Sequence, residues 1–264
     1  MTTPGNESDA VIVEHHDDVA LIRLNRPRSK NALAVEIKTG LAASIPALMR
    51  DSAVRCLVIT GTDDAFCAGG DISNMAERDA PAVRARMHKS YEWVKTIITG
   101  EKAVIAAVNG AAAGAGFSLA LLCDITLVAD TAFFRAAFPG LGAAPDLGLA
   151  LTLPRSIGTA RAKDILLTNR RIDAAEAVAI GLAKRMVPAA SLRDDALQLA
   201  KELAAGPATS LGLTKTLLNN AFEPIDDFFA TEAMAQAVAF GSKEFAEGVS
   251  AFLAKRKPDF KSAG

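Results

Sequence analysis

The stretch Ala103-Val104-Ile105-Ala106-Ala107-Val108-Asn109-Gly110-Ala111-Ala112-Ala113-Gly114-Ala115-Gly116-Phe117-Ser118-Leu119-Ala120-Leu121-Leu122 decides the reading of the fold. It has the length and hydropathy of a membrane span. Asn109, Gly110, Gly114 and Gly116 interrupt it, however, and Lys102 and Asp124 flank it. A break at that depth would leave backbone N–H and C=O groups unpaired in lipid. The stretch reads instead as a buried strand, a glycine turn and a buried helix. A helix N-terminus offers free N–H groups and a positive dipole end, suited to an oxyanion or a phosphate. Neither nucleotide pattern fits: no Lys-Ser/Thr pair follows the glycines, and Gly114-Ala115-Gly116 lacks the dinucleotide spacing.

Upstream, Val11–Glu14 and Val19–Leu24 flank His15-His16-Asp17-Asp18 and predict a hairpin. Ala32 to about Met49 predicts a helix containing Pro46, and the apolar run Val54–Thr60 closed by Gly61 predicts a strand covered on both faces. Helical periodicity returns over Asp79–Ile98, and Ile125–Ala129 predicts another buried strand. Strands separated by helices imply a largely parallel sheet. From Ala160 the pattern is mostly helical: Ala160–Leu167, Ala174–Ile180, Ser191–Ala205, Thr209–Ala221, Ile225–Ala239 and Ser242–Lys257. The chain is therefore expected to be α/β, with a core over 1–200 and a helical C-terminal region over 201–264.

Composition narrows the function. Of 264 residues, half are hydrophobic, and 29 basic against 30 acidic residues leave a formal charge of −1. That balance opposes disorder and lacks the basic excess of a nucleic-acid binder. Cys56, Cys67 and Cys123 are too few and scattered for a disulfide scaffold or a zinc site, which makes a reducing cytoplasm the expected location. Met1–Asp9 is polar, without the apolar segment of a signal peptide. No metal is expected.

A second small-residue turn, Ala65-Phe66-Cys67-Ala68-Gly69-Gly70-Asp71-Ile72, follows the Val54–Thr60 strand. An N–H of Ala68 or Gly69 there can point into a cavity, although a plain strand-to-helix turn capped by Asp71 fits the same residues. Two such turns can supply two main-chain donors to one carbonyl oxygen, an oxyanion hole without side chains.

Together with Leu24-Asn25-Arg26-Pro27, Asn31-Ala32-Leu33, Val104–Gly110, Leu119–Ile125, Leu153-Pro154-Arg155, Ala174–Ala177 with Gly181-Leu182-Ala183, and Ala251–Lys257, these turns resemble the crotonase (enoyl-CoA hydratase/isomerase) superfamily over nearly the whole chain. The resemblance implies a crotonase-like spiral of ββα units whose C-terminal helical region builds a homotrimer or a hexamer of two trimers. It implies an acyl-CoA substrate, with coenzyme A part of that substrate and no separate cofactor. The main-chain donors fall on Ala68 and Ala115. Arg28, Ser29 and Lys30, together with Ala68, Gly69, Gly70, Asp71 and Ile72, match positions that hold CoA, and Phe252 and Lys255 match residues near its adenine end.

The family's hydratases use two glutamates. Those positions fall here on Ser118 and on Phe138, within Phe133–Pro139, which holds no glutamate in any register. Asp146, in Pro145-Asp146-Leu147-Gly148, resembles the acid/base of the double-bond isomerase subset. A 1,3 proton shift needs one base, whereas hydration also needs a positioned water. Ala143, Ala144, Leu147 and Leu149 are expected to desolvate Asp146 and raise its pKa. The expected function is thus an acyl-CoA isomerase using Asp146, Ala68 and Ala115. The alternatives are a hydratase with a non-standard acid/base set and a non-catalytic acyl-CoA-binding protein. Glu77 and Asp79 are reserve bases. Asp124 reads as a structural cap or ion pair, Cys67 as packing, and His15, His16 and His88 as surface residues.

Overall fold

The computed structural model describes residues 9–72 and 79–263. Its first sheet begins with the hairpin β1 (Val11–His16) and β2 (Val19–Leu24), whose turn is Asp17-Asp18. β2 pairs in parallel with β3 (Cys56–Gly61), which is followed across the sheet by β5 (Ala103–Val108), β7 (Ile125–Ala129) and β10 (Arg185–Val187). Every residue of β3 is buried, as a strand covered on both faces requires.

A second sheet of four three-residue strands was not expected. It runs in the order β4 (Ala65–Cys67), β6 (Ala111–Ala113), β8 (Phe133–Arg135) and β9 (Arg171–Asp173). Three of the long strands turn a corner into one of these short ones: β3 into β4, β5 into β6, β7 into β8. After them come α2 (Ala80–Thr99), α3 (Ala115–Leu122) and, beyond a 3-10 turn at Phe138–Leu141, α4 (Leu149–Ile157). This is the expected ββα spiral, repeated three times. The glycine turn of the 103–122 stretch therefore contains a strand.

Asparagines tie the corners. Asn109 Oδ1 accepts the Gly61 N–H at 3.0 Å, and its Nδ2 donates to the Asp63 carbonyl at 2.9 Å. Asn31 is fully buried; its Nδ2 donates to the carbonyls of Thr62 (2.9 Å) and Ala65 (2.7 Å), while its Oδ1 accepts the Arg26 N–H at 2.9 Å. Buried polar groups need such partners, so these side chains fix where the turns sit.

α1 (Val35–Arg50) carries Pro46 and buries Ile37, Leu41, Ile45 and Leu48 against the sheet. α5 (Thr159–Thr168) and α6 (Ala174–Ala179) lie near the expected spans. α7 (Leu192–Ala204) packs on β2 and β3, so the expected boundary at residue 200 falls inside it. α8 (Ala208–Asn219), α9 (Ile225–Phe240), α10 (Lys243–Leu253) and α11 (Phe260–Ala263) complete the chain. α10 stops four residues short of Lys257, because Ala254 closes its last turn and Lys255 takes a left-handed conformation (φ 53°).

Candidate active site

The two small-residue turns lie against each other. A Cβ at Gly69 would meet the Ala113 carbonyl oxygen at 3.0 Å and the Ala115 nitrogen at 3.7 Å. At Gly116 a Cβ would fall on the Cys67 carbonyl, 2.7 Å from its carbon and 2.8 Å from the Cys67 Cβ. Only glycine permits this approach, so the end of β4 and the start of α3 meet backbone to backbone. Ala115 is the first residue of α3, and its N–H has no partner within the helix. The Ala68 N–H is donated to the Lys30 carbonyl at 3.0 Å, so binding an oxyanion there requires that bond to be shared or exchanged.

That bond also joins the predicted CoA segments. Arg28 and Ser29 lie in a 3-10 turn and Lys30 follows in a left-handed conformation. Leu33 N–H donates to the Gly69 carbonyl at 2.7 Å, and Leu33 bridges Gly70. Arg28, Lys30, Ala68 and Ile72 are exposed along this seam. Asp71 lies 3.6 Å from Arg26 as an ion pair, and Lys30 stands 3.6 Å from Asp64. Phe252 and Lys255 sit elsewhere, at the end of α10; Phe252 lines an apolar cavity of about 460 Å³ with Phe240, Phe245 and Phe260.

Asp146 lies between the 3-10 turn and α4, half-buried, with Oδ1 enclosed and lacking a hydrogen-bond partner among the described residues. Burial raises its pKa, opposed by the nearby Lys38 cation. Leu147 and Leu149 are buried beside it, but Ala143 and Ala144 are exposed, so only half of the expected desolvating neighbours contribute. Ser118, fully buried on α3, donates its hydroxyl to the Asp146 main-chain carbonyl at 3.0 Å. Ser118 stands three residues after Ala115, so about one helical turn separates the Asp146 main-chain carbonyl from the start of α3.

Sequence reasoning missed Lys38. It flanks the buried stripe of α1, and burial lowers its pKa, with Arg86 adding to that effect while Asp146 and Asp71 oppose it. Its only signal was a lysine beside an apolar stripe, which usually marks a long side chain reaching for water.

Of the other residues weighed, Phe138 is buried and offers no acid. Asp79 caps α2 by accepting the Ala82 N–H at 3.1 Å, and Glu77 lies outside the described residues. Asp124 accepts the Val104 N–H of β5 and pairs with Lys215, both at 2.8 Å, the ion-pair alternative of the expected structural role. The Cys67 thiol is buried and pushed up to about 12 by desolvation, which suits packing rather than nucleophilic attack. His15 and His88 are exposed, whereas His16 is half-buried beside Glu14. Among the described residues no cluster of His, Cys, Asp and Glu could hold a metal, and no helix is long and apolar enough to cross a membrane.

The chain matches the family described as Enoyl-CoA hydratase/isomerase over residues 14–263. It is 39% identical over 247 residues to a 1,2-epoxyphenylacetyl-CoA isomerase of Escherichia coli K12, covering 92% of this chain and 94% of that one. It is 35% identical over 252 residues to a crotonyl-CoA hydratase of Syntrophomonas wolfei, covering 95% and 97%. A crystal structure of an enoyl-CoA hydratase/isomerase from Cupriavidus metallidurans superposes with a TM-score of 0.90 at 32% identity, covering 96% of each chain.

Proposed function

Because the chain belongs to the enoyl-CoA hydratase/isomerase family, we propose that it moves the double bond of an enoyl-CoA, or of a ring-type acyl-CoA, with Asp146 as its one acid/base. The observation that carries this reading is the enclosed Asp146 Oδ1, without a hydrogen-bond partner among the described residues, on a residue whose main-chain carbonyl is tied through Ser118 to the helix that begins at Ala115. Its raised pKa suits a group that must take a proton and give it back.

With a 3-enoyl-CoA, the Asp146 carboxylate removes a proton from C2. The C–H electrons pass into a dienolate whose charge rests on the thioester oxygen. The Ala115 and Ala68 N–H groups meet that charge, the second after releasing the Lys30 carbonyl. Asp146 then delivers the same proton to C4, leaving a 2-enoyl-CoA and an ionised carboxylate. The turn Arg28–Lys30 and the strip Ala68–Ile72 receive the CoA portion. Every step uses the chain and its substrate, with no further cofactor.

Assembly as a trimer or hexamer is supported by the exposed apolar side chains of α9 and α10, among them Phe229, Phe240, Phe245 and Phe252, more than a monomer usually leaves in water. Light scattering of the purified protein tests that, with a monomer as the contrary result.

A second reading, hydration, is favoured by the similarity to a crotonyl-CoA hydratase. Separate incubations with 3-enoyl-CoA and 2-enoyl-CoA in ¹⁸O-water tell the two apart. Isomerisation turns the 3-enoyl-CoA into a 2-enoyl-CoA of unchanged mass, whereas no turnover of the 3-enoyl-CoA together with labelled 3-hydroxyacyl-CoA from the 2-enoyl-CoA refutes it.

A further inference from the structure

Ser118 is one of the two positions where a hydratase carboxylate is missing. In this structure its hydroxyl makes a specific contact. We propose that Ser118 is a positioning residue that holds the Asp146 loop in register with the oxyanion-binding end of α3, an inference that rests on Asp146 being the acid/base.

Ser118 is fully buried and has one proton to give. Two carbonyls lie within reach: Gly114, one turn back on its own helix, at 3.3 Å, and Asp146, 28 residues away, at 3.0 Å. The longer-range partner is the nearer. The Asp146 carbonyl also accepts the Leu149 N–H at 3.1 Å, so two donors pin the main chain at this residue. The chain then runs through Leu147 at φ 46° and Gly148 at φ 84°, two left-handed residues in succession. Leu147 is buried and is not a glycine, so this conformation persists only where surrounding contacts enforce it.

The enclosed Oδ1 of Asp146 adds no hydrogen bond to that enforcement, since it has no partner among the described residues. The main-chain tie from Ser118 is therefore what sets where the carboxylate stands relative to Ala115. A glutamate at 118 would remove the tie while adding an acid. The two arrangements are thus alternatives at one position.

The test is kinetic. Ser118→Ala keeps the helix and leaves the Asp146 carbonyl its Leu149 partner, so the fold should persist, as melting will check. The expected result is a fall in kcat of roughly 10- to 100-fold, the scale of an approximately 1 Å misplacement of a catalytic group, with KM within about twofold. The acid limb of the kcat profile should move to lower pH, since water admitted to the loosened loop relieves the burial that raises the Asp146 pKa. Lys38 of α1, backed by Arg86 of α2, faces Asp146 and is unchanged in this variant, while α3 bears no charged side chain. Ser118→Thr, which keeps the hydroxyl, should recover most of the rate. In an Asp146→Asn background, Ser118→Ala should cost nothing more. An unchanged kcat and acid limb in Ser118→Ala overturns the proposal while leaving Asp146 as the base. Equal losses in both backgrounds overturn it as well. Should Ser118→Ala melt early, Ser118→Cys, which keeps the volume with a weaker donor, reads the same two quantities. Full activity in Asp146→Asn would remove the underlying reading and the proposal together.

Discussion

Gly116→Ala probes the packing on which the proposed oxyanion site depends. The new Cβ would lie 2.8 Å from the Cys67 Cβ and 2.7 Å from the Cys67 carbonyl carbon. Carbon atoms rest about 3.5–4.0 Å apart, so the end of β4 and the start of α3 must separate by roughly 1 Å. Both contacts are to atoms fixed close to the backbone, and the strand beneath is fully buried, so no side-chain rotation absorbs the move. Overpacking of this kind costs typically about 1–3 kcal/mol. For a chain of this size that corresponds to a Tm lower by roughly 2–12 °C. The same shift moves the Ala115 N–H away from the Ala68 turn, and kcat should fall on the order of 100-fold. Gly140→Ala is the control, since its Cβ would meet nothing nearer than Asn169 Nδ2 at 3.4 Å. Calorimetry and isomerase assays on both variants read the two quantities. Wild-type Tm and kcat in Gly116→Ala would refute the reasoning.

Other consequences follow from particular side chains. Lys38→Met removes the cation that lowers the Asp146 pKa, so the acid limb of kcat/KM should move to higher pH; a limb that stays in place or moves down would contradict this. Burial raises the Asp146 pKa, so the penalty for its charge is absent below the ordinary carboxylate value of 3.8 and complete above the raised one. Asp146→Asn should therefore gain Tm relative to wild type as pH rises through that window, and a gain confined to acid pH would be the wrong sign. Asn31→Ala strips the buried ties to Arg26, Thr62 and Ala65 and places alanine at φ 57°, costing about 3–4 kcal/mol in denaturant melts. Cys67 should resist a thiol reagent in the native protein at pH 8 and react once unfolded; rapid native labelling would show that the thiol is not buried as described.

The parts legible in sequence were those whose burial is continuous. β3, β5 and β7 are runs of apolar residues covered on both faces, and they were located within a residue or two. The second sheet was not legible, because three residues are too few to show alternation and its strands are defined by their neighbours. α10 was read too long: the residues after Leu253 are compatible with a helix, and the left-handed Lys255 that ends it leaves no glycine as a sign. At the site, the two turns announced themselves through their small residues. Ser118 was read only for the carboxylate it lacks, because the partner of its hydroxyl lies 28 residues away. The Lys30 carbonyl that occupies the Ala68 N–H is a main-chain contact and leaves no mark on residue type. The raised pKa of Asp146 was anticipated, but from four apolar neighbours of which two face water.

The central claim is that one carboxylate, Asp146, carries the proton between two carbons of the substrate. The most direct measurement is the rate of 3-enoyl-CoA to 2-enoyl-CoA conversion by wild type and Asp146→Asn, with CoA-ester binding followed by calorimetry on the same preparations. Loss of a general acid/base predicts a rate lower by about 10²–10⁴-fold at near-wild-type affinity. Full isomerisation by Asp146→Asn would contradict the account.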